Sequence, residues 1–313
     1  MKAFVLPSQT QPAQLAELPH PSAAPDGVVV RVRAASVNGF DLAQAGGFLF
    51  ELLPHAFPAV IGRDFAGVVE AVGAEQTAFV VGDEVFGIVY PVPPLQNGSY
   101  AELVATAGPL VRKPANVSFE TAAAIPLATA TALDCLDAVA VGPGDSVAIL
   151  GATGGVGSAA VQLAAARGAH VIATAKPDEE DYVRSLGAAE IVDRTGDVAE
   201  AIRAAHRDGI TALVDLVSRT PDDFGRMAAL VRDGGRAATT LSVADVEGLA
   251  VRGVQATNII GTATPEKLAT LAQLVSDGEL RITVQATFPF DEVGAAFAAF
   301  QAGTRGKVVL TMA

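Results

Sequence analysis

The sequence predicts an α/β chain in which a parallel sheet, covered by helices on both faces, is inserted into a β-rich, barrel-like region. Three observations predict it. Residues 1 to about 118 carry short strand-like runs punctuated by Pro and Gly. The middle of the chain alternates strands with helices. From Pro265 onward the last strands return to the texture of the first. The expected organisation is a first barrel part over 1–118, a strand–helix domain over 119–264, and a second barrel part over 265–313.

The barrel strands are read in "KAFVL", "GVVVRVRAASV", "FAGVVEAVG", "DEVFGIVY" and "SYAELVATA", in that order. At Ser118 the pattern turns helical, "SFETAAAIPLATATALDCLDAVA", with Glu120 favouring the first turn through the helix dipole. Strands and helices then alternate through "AEIVD", "VAEAIRAAH", "ALVDLV", "DFGRMAALV", "GRAATTL" and "GVQATNIIG". A helix from Pro265, "ITVQATFPF", another helix and the closing "GKVVLTM" complete the chain.

The most informative stretch is "VAILGATGGVGSAAVQLAAARGAHVIATAK", Val147 to Lys176. Val147–Leu150 is short, β-prone and uncharged, as a strand buried on both faces must be. A run of small helix formers follows from Ser158 to Arg167, and Val171–Thr174 reads as a second strand, which makes one βαβ unit. The turn contains Ala152-x-Gly154-x-x-Gly157, a dinucleotide fingerprint with alanine in place of the first glycine. Gly154 and Gly155 let the backbone approach a pyrophosphate at the helix N-terminus, and Gly157 permits close helix packing. A tight structural turn is the alternative.

A net charge of −13 disfavours nucleic acid and anionic membrane surfaces as partners. The single cysteine, Cys135, excludes an internal disulfide and a multi-cysteine metal site. "MKAFVLPSQT" has no apolar stretch of signal-peptide length, and the longer apolar runs are broken by glycine or charge, so a cytoplasmic chain without a membrane span is expected.

Seven segments in order carry a resemblance: "AASVNGFDLAQAGG", "FPAVIGRDFAGVVEAVG", "GDEVFG", "GSYAEL", "AAAIPLATATALDCL", "GATGGVG" and "GTRGKVVL". The chain resembles the zinc-independent medium-chain dehydrogenase/reductases, near the zeta-crystallin-like quinone oxidoreductases, over nearly its whole length. The resemblance implies a GroES-like barrel catalytic domain, an inserted Rossmann domain, an active site in the cleft between them, and a homodimer paired through the Rossmann edge strand around Val254–Ile260. Zinc-dependent relatives place a cysteine early in the active-site loop and a histidine in a Gly-His-Glu segment. Here those positions read Val37-Asn38-Gly39-Phe40-Asp41 and Gly62-Arg63-Asp64, and the four histidines are scattered, so no metal is expected.

Without a Lewis acid, the expected reaction is hydride transfer from NADPH to an acceptor that is already electron-poor, a quinone or an enone. The resemblance makes Asn38 a hydrogen-bond donor near the substrate oxygen or nicotinamide, with Asp41 orienting it or capping the turn, and puts the Thr131 hydroxyl near the nicotinamide ring; the alternatives are an asparagine that stabilises the turn before Gly39 and a helix-interior threonine bonded back to a carbonyl. It also extends the cofactor site to Thr153, Val156 and Thr174, to Val217, Ser218 and Leu241, and to Lys307. Tyr90 and Tyr100 are candidate proton donors. Phe48, Leu49, Phe50 and Leu53, facing "VYPVPPLQNG", suggest an apolar pocket or, equally, barrel core. An enoyl-thioester or 2-alkenal reductase on the same scaffold, and a non-catalytic NADPH-binding regulatory protein, are the alternatives.

NADPH is expected over NADH because the second strand of the βαβ unit ends Thr174-Ala175-Lys176, with no acid at its tip to hold a ribose hydroxyl. Lys176, helped by Arg194 after "AEIVD", would pair with a 2′-phosphate. Asp178, Glu179, Glu180 and Asp181 oppose this, unless they serve the first turn of the helix that follows Pro177.

Overall fold

The computed structural model describes residues 1–312, and the chain divides into two compact units, Met1–Leu127 with Ala263–Ala313, and Ala128–Thr262. The first unit opens with β1 (Lys2–Leu6), β2 (Gln14–Glu17), β3 (Val28–Ser36), α1 (Gly39–Ala45), β4 (Ala59–Val60) and β5 (Asp64–Val72). It continues through β6 (Glu84–Ile88), β7 (Leu103–Thr106), β8 (Leu110–Arg112) and α2 (Phe119–Ala123). The helix α3 (Pro126–Ala138) carries the chain into the second unit.

The single helix expected from Ser118 is therefore two. Proline at 126 cannot donate to the preceding turn and disfavours helical backbone in the residue before it, so α2 stops at Ala123 and α3 restarts at Pro126. The first compact unit runs to Leu127, and α2 packs on β3 and β5 within it.

The second unit contains β9 (Ser146–Leu150), α4 (Gly155–Ala166), β10 (His170–Ala175), α5 (Glu180–Ser185), β11 (Glu190–Asp193) and α6 (Val198–Ala205). After these come β12 (Ile210–Asp215), α7 (Pro221–Ala228), β13 (Val231–Thr239), α8 (Val246–Ala250) and β14 (Gln255–Asn258). Its six strands are all parallel, in the order β11-β10-β9-β12-β13-β14. That is the doubly wound Rossmann order, whose direction reverses between β9 and β12. Val147–Leu150 of β9 and all of β12 are buried, as the absence of alternation in their sequences requires. Leu213, Ile172, Phe224 and Ile202 are at the centre of this core.

The chain returns to the first unit with α9 (Pro265–Ser276), β15 (Val284–Pro289), α10 (Val293–Gln301) and β16 (Lys307–Thr311). A seven-stranded sheet runs β15-β16-β3-β5-β6-β8, with β7 also paired to β3, and a smaller sheet runs β2-β1-β4. In β3, Val30 and Val32 point inward while Arg31 and Arg33 face solvent, the alternation of a one-sided sheet. The core of this GroES-like unit gathers Val30, Val32, Phe65, Ile61, Leu310 and Tyr100. By pairing with β3, β16 brings the far end of the sequence beside Ser36 and the segment that follows it.

Candidate functional site

In the first unit the end of β3, the start of β5 and the start of β16 converge on a buried polar cluster. Asn38 has extended backbone (φ −131°, ψ 156°) and is the N-cap of α1. Its own side chain does not cap the helix. The Asp41 carboxylate does the local work, accepting from the Asn38 backbone N–H at 2.9 Å and from the Tyr100 hydroxyl at 3.0 Å. That frees the Asn38 amide, whose Nδ2 donates to Asp64 Oδ2 at 2.9 Å while its Oδ1 accepts from the Lys307 ammonium. Ser36 Oγ donates to the same Asp64 oxygen at 2.9 Å, and the Leu127 backbone N–H donates to the other at 3.1 Å.

Two buried carboxylates are thus matched by two buried cations. Arg63, 1 % exposed, donates to Gln44 Oε1 at 2.8 Å and to the Val89 and Asn97 carbonyls at 3.4 Å, with its guanidinium over the Phe40 ring. Burial pushes the Asp41 carboxyl up to about 7, with the Arg63 charge pulling it back. Burial also raises Asp64, against the pull of Lys307, and lowers Lys307, against the pull of Asp64. Asp41 Oδ1, Gln44 Nε2, Arg63 Nε and Ser99 Oγ are buried without hydrogen-bond partners.

Neither candidate proton donor has a hydroxyl to spare. Tyr100 OH is committed to Asp41 and to the Ser36 carbonyl, and burial with the Asp41 charge raises it further above its ordinary range. Tyr90 OH donates to the Ala263 carbonyl at 2.8 Å and accepts from the Ala263 N–H at 2.5 Å.

The apolar segment after α1 divides. Phe48 and Leu52 are 78 % and 73 % exposed, whereas Phe50 packs against the barrel core and edge-on to His55 and Phe57. Backbone bonds Ala56 N to Leu95 O and Leu95 N to Pro54 O tie this segment to the stretch containing exposed Val92. Phe50 is therefore barrel core, while Phe48 and Leu52 are exposed apolar surface.

In the second unit the glycine cluster joins β9 to α4. Gly151 has φ +81°, a left-handed turn that glycine adopts without strain. A Cβ on Gly157 would lie 2.1 Å from the Gly151 carbonyl oxygen, so only glycine lets α4 pack this closely on the end of β9. Gly154 is different. It is the N-cap of α4 with no side-chain cap, and a Cβ there would meet nothing nearer than the Gly151 oxygen at 3.6 Å. The free N–H groups of the first turn and the open approach at Gly154 fit a dinucleotide pyrophosphate. Gly155 and Val156 form the first helical turn, half-exposed, and Thr153 precedes them, nearly buried.

Most of the other predicted cofactor residues lie at the carboxyl ends of the same strands. Thr174 Oγ1 accepts from the Gly151 N–H at 3.1 Å and so braces the turn. The register Ala175↔Asp193 places Lys176 and Arg194 as successors on neighbouring strands. Glu179 is buried beside them, accepting from the Lys176 backbone N–H at 3.0 Å and lying 3.6 Å from Arg194 Nε. Val217 and Leu241 follow β12 and β13 with half-exposed apolar side chains, and Ser218 is buried. Thr131, on α3, is nearly buried against Gly261, where a Cβ would stand 2.0 Å from its hydroxyl oxygen. Lys307 is in the other unit, with Asn38.

Sequence reasoning missed Asp215 and Gln44, and missed the meeting of others it had named. Asp215, at the end of β12, accepts from the Val217 and Ser218 N–H groups at 2.9 Å through Oδ1, while Oδ2 is buried without a partner. Its signal was an aspartate closing an otherwise apolar strand. Arg63, Gln44 and Tyr100 come from three separated segments, and nothing local in the sequence announces their meeting.

Comparison with known proteins decides the family. Residues 24–115 match the alcohol dehydrogenase GroES-like domain, and residues 186–310 match a domain described as zinc-binding dehydrogenase. The mitochondrial NAD(P)H oxidoreductase RTN4IP1 of Mus musculus is 31 % identical, across 92 % of this chain and 82 % of its own length. The chain is a medium-chain dehydrogenase/reductase. This oxidoreductase is also 31 % identical to the 2-methylene-furan-3-one reductase of Solanum lycopersicum, over 93 % of this chain and 73 % of that one. The quinone oxidoreductase of Coxiella burnetii superposes with a TM-score of 0.89 at 28 % identity, over 100 % of this chain and 99 % of the other. The chain's relatives in this family are thus named for NAD(P)H, quinone and furanone reduction.

The matched description raises zinc, and the residues do not fit it. Among the described residues no group of three or more His, Cys, Asp or Glu side chains stands close enough to hold a metal. Asn38 occupies the expected thiolate position, and its amide already lies between an ammonium and a carboxylate. Cys135 is buried on α3, its thiol pushed up to about 12 by burial. Nor is any helix among the described residues long and apolar enough to cross a membrane.

Proposed function

We propose that this oxidoreductase transfers a hydride from NADPH to quinones and other electron-poor C=C–C=O acceptors without zinc. The observation that carries the reading is the Asn38 amide held between Lys307 and Asp64 where zinc-dependent relatives would need a metal ligand. A site offering a neutral amide donor suits an acceptor whose oxygen needs a hydrogen bond and not a Lewis acid. The relatives named for a quinone and for an enone acceptor support the same class.

When bound, the reduced dinucleotide supplies the hydride. The chain's own residues hold and orient. The N–H groups at the start of α4 receive the pyrophosphate, Lys176 and Arg194 receive the 2′-phosphate, and Val217 and Leu241 offer apolar contact to a ring. Thr131 is assigned to the nicotinamide edge. The Asn38 Nδ2 hydrogen steadies the negative charge that develops on the acceptor oxygen, and the exposed Phe48 and Leu52 receive a planar apolar acceptor. With both tyrosine hydroxyls engaged, solvent delivers the proton that completes the reduction.

The reading keeps the cytoplasmic location and a homodimer formed along β14, the edge strand of the parallel sheet, beside exposed Val251 and Ile260. The test is NADPH consumption with quinones, enals and enoyl thioesters assayed side by side. Turnover of quinones or free enones is expected. Turnover of the thioesters alone would move the assignment to the enoyl-thioester reductases, and tight NADPH binding without turnover of any acceptor would make the protein a non-catalytic binder.

A further inference from the structure

The side chain of Lys307 is built into the barrel unit. β16 pairs Val309 with Ser36 and Leu310 with Ala35, and the Val37 N–H returns to the Val308 carbonyl at 2.9 Å. This fixes the start of β16 against the turn that holds Asn38. Lys307 is 5 % exposed, and its ammonium donates to the Val37 carbonyl at 2.9 Å and to Asn38 Oδ1.

The chemistry of the two neighbours leaves the Asn38 amide one orientation. An ammonium has only hydrogens to offer and a carboxylate only lone pairs. With Oδ1 on Lys307 and Nδ2 on Asp64, both contacts are attractive. A flipped amide would set N–H against N–H on one side and oxygen against oxygen on the other. One Nδ2 hydrogen is spent on Asp64 at 2.9 Å, and the nearest acceptor for the other is the Ser36 carbonyl, at the 3.5 Å limit of a hydrogen bond. That second hydrogen is the one available to a ligand oxygen.

We infer that Lys307 is a positioning residue for the reaction: with Asp64 it locks the Asn38 amide so that an N–H, and never the carbonyl, meets the oxygen of the acceptor. The inference rests on the assignment of Asn38 to that oxygen. It predicts that Lys307 acts on the chemical step through Asn38 and leaves dinucleotide affinity alone. It also excludes acceptors whose contacting group is itself a hydrogen-bond donor, because the site then presents donor to donor.

The test is a double-mutant cycle on the full chain, N38A, K307M and the double variant. The readouts are kcat and acceptor KM with a quinone, NADPH Kd by fluorescence titration, and circular dichroism with thermal melting. N38A is expected to lower kcat about ten-fold or more, as loss of one preorganised donor does. K307M should lower kcat by a similar factor with NADPH Kd within about two-fold of wild type, and the double variant should be no worse than N38A alone. A K307M enzyme with weakened NADPH binding and intact kcat would place Lys307 at the cofactor and overturn the inference. So would factors that multiply in the double variant. If N38A itself keeps full kcat, the assignment of Asn38 fails, and the inference with it. Should K307M not fold, K307M/D64N removes both buried charges together, leaves the amide without a preferred orientation, and must lose the same kcat; full kcat there would equally overturn it.

Discussion

Two glycines three positions apart in the same turn are predicted to do different jobs, and one pair of variants separates them. In Gly157→Ala the new methyl would lie 2.1 Å from the Gly151 oxygen and 2.7 Å from the Ala152 Cα, both rigid backbone atoms. Restoring normal contact moves α4 off β9 by on the order of 1 Å, and overpacking of this kind costs about 1–3 kcal/mol. In Gly154→Ser the Cβ has a clear 3.6 Å to its nearest neighbour, and the backbone (φ −73°, ψ 177°) accepts any residue. Serine at an N-cap changes helix stability by only about a few tenths of a kcal/mol relative to glycine. Its hydroxyl, however, takes the first-turn N–H groups and fills the space in which the pyrophosphate is proposed to sit. Losing one charge-assisted hydrogen bond there removes about 1.5–3 kcal/mol, a ten-fold or larger rise in NADPH Kd. Fluorescence titration and thermal melting, run on both variants, read the two effects separately. Gly154→Ser should melt like wild type and bind poorly; Gly157→Ala should melt lower. Wild-type affinity in a folded Gly154→Ser would refute the reasoning, since the glycines would then be only a turn.

Lys176→Ala should weaken NADPH about ten-fold or more and leave NADH nearly unchanged, because only the 2′-phosphate meets the ammonium; a ratio of catalytic efficiencies that does not move would show the site misplaced. Asp41 makes stability pH-dependent. Its carboxyl, raised by burial from 3.8 to about 7, binds its proton more tightly in the folded state, so its contribution is full below about pH 4 and is lost as pH rises toward 7. About three pH units at about 1.36 kcal/mol each make about 4 kcal/mol, and Asp41→Asn should flatten urea-unfolding free energies between pH 4 and 7. An unchanged pH dependence in the variant would exclude Asp41 as its source. Ile260→Asp, at an exposed position two residues beyond β14, should convert a dimer to monomer in sedimentation velocity without loss of helix content; an unshifted dimer would place the interface elsewhere.

The fold was most legible where burial leaves a one-dimensional trace. "KAFVL" is β1 residue for residue, and the uncharged run before the glycines is β9. The read strand "SYAELVATA" shrinks to Leu103–Thr106, because Tyr100 is spent on the polar cluster and Ala101 makes only an isolated bridge to Ala3. The short β2, β4 and β8 owe their existence to partners far along the chain, and four, two and three residues carry no period to read. The helix break before α3 is marked in the sequence by Pro126, although the alanine-rich run around it reads as one continuous helix. Within the candidate site, the resemblance pointed to Asn38 and Asp41, and the structure puts them side by side. It could not show that Arg63 and Tyr100 gather around Asp41, or that Lys307, 269 positions from Asn38, reaches its amide. Such contacts are set by the pairing of β16 with β3, which leaves no local mark on the sequence.

The central claim is hydride transfer from NADPH to an activated acceptor by a site that needs no metal. Its most direct test is to treat the purified protein exhaustively with chelator and supply NADPH deuterated at both C4 positions together with an enone. Mass spectrometry of the product then reads the fate of the label. One deuterium on the β-carbon of each reduced enone, at the rate seen before chelation, is the predicted result; unlabelled or unreduced enone, or transfer that returns only when zinc is added, would contradict it.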